Sequence, residues 1–152
     1  MEKLLRAIFG IKDKDIKFPY RKKDFLLTET ERRFYEVLNQ LSQRHNVLLF
    51  AKVRLEDLLL TYGNGHERFS SRNRIKSRHV DFLLCSKETI SPLIAIELDD
   101  SSHNNEDRIE RDNFVDKALQ SAGLPILHVK VKSFYDLKEL ENLITKTLNN
   151  NF

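Results

Sequence analysis

The tightest constraint on this chain is a pair of short apolar runs, each interrupted by acid. Val80 to Cys85 and Leu93 to Leu98 are almost continuously hydrophobic, yet Asp81 stands inside the first and Glu97 inside the second, with Asp99 just beyond. Runs of this length suit strands covered on both faces. A carboxylate in such a strand has to be paired, coordinated or turned out to water, because a bare buried charge is strongly unfavourable. Ser86 to Pro92 is short enough for a hairpin connection, which would set Asp81 beside Glu97. Residues two apart on a strand share a face, so Glu97 and Asp99 point the same way.

Other elements follow from periodicity. Thr28 and Glu31 have the spacing of a capping box. Phe34, Val37, Leu38 and Leu41 then repeat at i, i+3, i+4, i+7, which predicts an amphipathic helix. Val47 to Val53 reads as a strand and Leu55 to Leu60 as a short helix or turn. Asp107 to Ala122 predicts a helix with Val115, Ala118, Leu119 and Ala122 buried and Gly123 as its C-terminal cap. Pro125 to Val131 reads as a fourth strand. Asp136 to Leu148 reads as a last amphipathic helix. Phe34, Phe82 and Phe114 fall at core positions. The order is α-β-β-β-α-β-α, and the expected fold is α/β, a central mixed four-stranded sheet flanked by helices.

At 152 residues, 40% of them hydrophobic, the chain has room for one core and one domain, read as residues 25–149. Residues 1–24 form a basic lead-in, a docking segment for a partner protein or a second copy in a homodimer. No apolar run reaches the ~20 residues of a membrane span, and no secretory signal is evident at the start. The single Cys85 excludes an internal disulfide and a Cys-based zinc site within one chain. A cytoplasmic setting is expected, with no membrane partner.

Net charge is only +3, but its distribution is uneven. His66 to His79 carries Arg68, Arg72, Arg74, Lys76 and Arg78 against Glu67 alone. Interspersed Ser and Asn, with Gly63 and Gly65 just before them, make this an exposed loop in the sequence reading. It is either a solvated surface or a contact for phosphates, with Arg72, Arg74, Lys76 and Arg78 as the nucleic-acid-binding candidates.

Asp81, Glu97 and Asp99 have two readings. They form a structural polar cluster, or they are hard oxygen ligands for Mg²⁺ or Mn²⁺, since a divalent cation relieves the repulsion between neighbouring carboxylates. His103, on the loop after the second run, is a candidate ligand, general base or leaving-group acid.

Together, several motifs resemble a known family. They are Thr-Glu-Thr-Glu-Arg-Arg-Phe-Tyr-Glu-Val-Leu from Thr28, His-Val-Asp-Phe-Leu-Leu from His79, and Ile-Glu-Leu-Asp-Asp-Ser-Ser-His from Ile96 to His103. Arg-Asp-Asn-Phe-Val-Asp-Lys-Ala-Leu from Arg111 and Ala-Gly-Leu-Pro-Ile-Leu from Ala122 complete the set. In this order and spacing they are similar to the bacterial family catalogued as domain of unknown function 2726. That family in turn resembles the restriction-endonuclease-like, or PD-(D/E)XK, superfamily, in particular its very-short-patch-repair-like branch. The resemblance implies a divalent-metal phosphodiesterase acting on DNA, with RNA not excluded. It implies that Asp81 is the first acidic ligand and Glu97 the acidic residue of the second half-motif, and it relates Glu31 to a helix glutamate of some members. Where that pattern has a lysine, this chain has Asp99. Asp99 and His103 would then form a variant site, and Arg74, Lys76 or Arg78 would lend the missing cation. Without that lysine the other implied reading is a nuclease-like domain that binds nucleic acid or a protein but does not cut.

Overall fold

The computed structural model of the chain describes residues 18–99 and 106–150, and of residues 106–113 the backbone alone. Helix α1 (Glu29–Arg44) starts where Thr28 and Glu31 satisfy each other's free amides, the capping box expected from their spacing. It leads into β1 (Val47–Arg54) and the single turn α2 (Leu55–Leu58). Helix α3 (Gly65–Ile75) and strand β2 (His79–Ser86) follow. Then come β3 (Pro92–Asp99), α4 (Glu106–Ser121), β4 (Ile126–Lys130) and α5 (Leu137–Asn149). The expected order of helices and strands is present; α2 is the short helix or turn expected at Leu55 to Leu60, and α3 is added between the first two strands.

The sheet runs β1-β2-β3-β4, antiparallel except for the parallel β3–β4 pair, so it is mixed. Alternation along the strands divides the core in two. Phe82, Leu84, Ile94, Ile96, Leu127 and Val129 pack with Phe34, Leu38 and Leu41 of α1 and Leu140 of α5. Leu83, Cys85 and Ala95 face the other way, onto Val115 and Leu119 of α4, with Leu55 and Ile75. Helices on both faces explain why β2 and β3 read as continuous apolar runs. Helix α4 closes as its sequence suggests. Gly123, at φ +71, lets its own amide reach the Gln120 carbonyl and that of Leu124 reach Leu119, a paired C-terminal cap. Ala122, expected in the buried stripe, is exposed.

The basic segment corrects the sequence reading. Instead of a loop, Gly65–Ile75 is a helix, opened by a second capping box between Asn64 and Glu67. It lacks an apolar stripe, and Ile75 is its one buried residue, so periodicity could not reveal it. The lead-in falls largely outside the described residues. Its described part, Phe18 to Asp24, is exposed. Among the described residues, no helix is long and apolar enough to cross a membrane.

Candidate functional site

The site forms where two strand ladders break at one residue. Pairing of β1 with β2 runs through Ala51↔Phe82 and resumes at Val53↔Val80, skipping Lys52 and Asp81. Lys52 has φ +55, a left-handed conformation that costs a non-glycine residue about 1–2 kcal/mol. The turn shifts the strand's side-chain phase. Val47, Leu49 and Ala51 pack on the α1 face, whereas Val53 and Val80 join the opposite cluster. Pairing of β2 with β3 also stops one step short of Asp81, at Phe82↔Ile96. The Leu98 amide donates instead to Asp81 Oδ2 at 3.1 Å. Strain of this kind persists only where surrounding contacts enforce it, and it concentrates at functional sites.

Lys52 is the residue that sequence reasoning missed. Its ammonium donates to Asp81 Oδ1 at 2.7 Å and to Glu31 Oε1 at 2.5 Å, with all three side chains mostly shielded from water. Glu31 therefore serves twice: Oε2 accepts the Thr28 amide of the helix cap and Oε1 accepts from the Lys52 ammonium. Burial pushes the Asp81 carboxyl up. The Lys52 ammonium, the Leu98 amide and a hydrogen bond from Glu97 outweigh it, leaving the pKa below the ordinary value. Burial likewise raises Glu31, but Lys52 and Thr28 bring it down on balance. Desolvation lowers Lys52, and the two carboxylates raise it further than that. Asp81 and Glu97, from neighbouring strands, line the same cleft.

Asp81, Glu97 and Asp99 all line one open cleft of about 480 Å³ between the N-terminus of α1 and the side of α4. Asp99, however, turns to β4. His128 Nδ1 lies 3.1 Å from Asp99 Oδ2, and its Nε2 lies 2.9 Å from Asp116 Oδ1 on α4. Burial lowers the His128 pKa, but hydrogen bonds to Asp116 and Asp99 leave it raised. His103 lies outside the described residues. Among the described residues, no three His, Cys, Asp or Glu side chains are arranged to hold a metal ion.

Of the four basic candidates, Arg78 lines the cleft and Arg72, Arg74 and Lys76 do not. Arg72 Nε donates to Glu56 Oε1 at 2.5 Å. Arg74 and Arg78 lie over the Phe114 ring, at 4.0 and 4.7 Å from its centre. Phe114, expected in the core, is only partly buried and works as this stacking surface, whereas Phe34 and Phe82 are fully buried. Arg78 also donates from Nη1 to the Arg74 carbonyl. Its Nε is buried and has no hydrogen-bond partner among the described residues.

Fold and cleft define a class: a three-layer α/β domain with carboxylates from neighbouring strands lining one cleft and a lysine joining a strand carboxylate, Asp81, to a helix carboxylate, Glu31. The sequence profile described as "Protein of unknown function (DUF2726)" matches residues 23–148, and the chain belongs to that family. No curated protein and no solved structure matches it.

Proposed function

We propose that the chain is a divalent-metal-dependent phosphodiesterase that cleaves DNA, with Asp81 and Glu97 as the metal's carboxylate ligands. The observation that carries this reading is the convergence of Asp81 and Glu97, from two strands, in one open cleft, beside a cation already bound to Asp81. The donor set fits Mg²⁺ or Mn²⁺. Mg²⁺ takes hard oxygen ligands, keeps several waters and needs only one or two carboxylates from the protein. The Leu98 carbonyl, between the two acids, is a further oxygen donor in this proposal. Bound there, the metal would lower the pKa of a water and offset charge on the phosphoryl oxygens.

The chain's own residues supply the rest. In this proposal Asp81 and Glu97 both serve as anionic ligands. Lys52 takes part of the role that a lysine at position 99 would have played: its ammonium, bound to Asp81 Oδ1, holds that carboxylate ionised. Asp99, held by His128, braces the β3–β4 side. In this reading His103 acts as acid or base and Arg78 lends a cation to a phosphate.

A second reading has support of its own. Lys52 already pairs with both Asp81 and Glu31, so each of these carboxylates has a cationic partner without metal, as suits a domain that binds nucleic acid and does not cut it. Two experiments decide between them. Thermal melts with and without millimolar Mg²⁺ or Mn²⁺ should show stabilisation by the ion, about 2.7 kcal/mol at a hundredfold excess over the dissociation constant. Plasmid and single-stranded DNA should be cleaved by the wild type and not by Asp81→Ala. An unchanged melt, or equal activity from both proteins, overturns the proposal.

A further inference from the structure

We infer that helix α3 is a docking element for B-form duplex DNA, contacting phosphates through the side chains of Arg68 and Lys76. The inference rests on the phosphodiesterase reading for its substrate class, but its evidence lies outside the cleft.

Helices in small domains are held mainly by packing of an apolar face, and α3 has none. Apart from Ile75 its side chains are exposed or only partly covered. Local devices hold it instead: the Asn64–Glu67 capping box, the Arg72–Glu56 ion pair and the stacking of Arg74 on Phe114. These contacts also sort its cations. Arg72, Arg74 and Arg78 are engaged within the protein. Glu67, the only acid between Gly65 and His79, is spent on the cap. Arg68 and Lys76 are exposed, and their side chains have no acidic partner among the described residues.

Arg68, Arg72 and Lys76 recur at i, i+4 and i+8, so they form one stripe along the helix. Like charges at this spacing repel, by about 0.2–0.5 kcal/mol a pair in isolated helices. Polyanion binding turns that cost into a gain. At ~1.5 Å per residue the stripe is about 12 Å long. The major groove of B-DNA is about 12 Å wide and admits an α-helix, with phosphates along both rims. The major groove of duplex RNA is too narrow for side chains to enter. Continuity with the cleft supports the same occupant. Ser77, Arg78 and His79, which follow α3 directly, line the carboxylate cleft, and Asp81 comes two residues later. Duplex held on α3 therefore lies next to the proposed reacting groups.

The test is fluorescence anisotropy with a labelled 20-base-pair DNA duplex and the full chain, in chelator so that nothing is cut, across a salt series. Arg68→Glu with Lys76→Glu should weaken binding at least about tenfold and flatten the slope of log K against log salt by about 1.8, some 0.9 per lost phosphate contact. Arg68→Gln with Lys76→Gln should show the same direction more weakly. Lys138→Glu, an exposed residue of α5, should change neither quantity, and circular dichroism should be unchanged throughout. Binding by the double charge-reversal variant within about twofold of wild type overturns the inference, as does tighter wild-type binding to single strands or duplex RNA. Cleavage by Asp81→Asn equal to wild type sinks the catalytic reading and leaves the docking result standing. Failure of the wild type to bind any nucleic acid overturns both.

Discussion

The cleft and helix α3 are two charged regions of the molecule, and they are built in opposite ways. At the cleft, Asp81 and the Lys52 bound to it sit at a break in two strand ladders, mostly shielded, with partners on neighbouring elements. On α3 the charges stand in water on a helix that hardly touches the core. Position matters for the first set, because a charge in low dielectric needs its partner at hydrogen-bond distance. Number matters more for the second, because a screened surface field depends on how many charges face one way. Specific chemistry belongs with the first arrangement and adjustable affinity with the second.

Variants can break or sharpen that contrast. The largest effect is expected from Asp81→Ala. Losing a metal ligand should lower metal-dependent cleavage by at least about 100-fold, on the order of 3 kcal/mol of transition-state stabilisation, read as plasmid nicking rates. Next is Lys52→Met, which leaves Glu31 and Asp81 facing each other without a cation. Breaking a fully buried pair costs ~3–5 kcal/mol; with the partial exposure here, about 2 kcal/mol is expected in urea unfolding. A cost below about 0.5 kcal/mol would place this network in the same class as surface pairs.

The pH dependence of stability, measured without metal, comes third. The folded pKa values of Asp81 and Glu31 are depressed. Their contribution is therefore full above the unfolded carboxyl range, about 4, and is lost as pH falls through the folded values. His128 is raised, so its contribution is full below about pH 6.5 and is lost as pH rises through its folded value. His128→Asn should remove the decline in stability on the alkaline side and leave the acid side unchanged. With His128 about a third exposed, the step should stay under about 1 kcal/mol. The smallest effect belongs to α3: Arg72→Met should change stability by no more than about 0.5 kcal/mol, although its ion pair with Glu56 is short.

Much of this was legible in residue order. The Thr28–Glu31 box, the Phe34-Leu38-Leu41 stripe and the Gly123 cap depend on contacts three to five residues apart, and each is present. Glu97 and Asp99 were placed on one face by alternation alone, and both line the cleft. Lys52 carried the same signal as Asp81, a charge inside an apolar run, but a single lysine in a strand says nothing about its partners. Helix α3 was hidden because its stability comes from a cap and from contacts with Glu56 and Phe114, which leave no apolar period to detect.

Residue order determined the layers of this protein, since a continuous apolar strand needs cover on both sides and an amphipathic helix has one face to give. It also put acids on two neighbouring strands. Only the tertiary structure decided what those acids meet: Asp81 with Lys52 and the Leu98 amide, Asp99 with His128 and Asp116. Such pairings join residues that are far apart in the chain, and their energies depend on distances of a few ångströms and on the exclusion of water. Neither quantity has a local signature in a sequence.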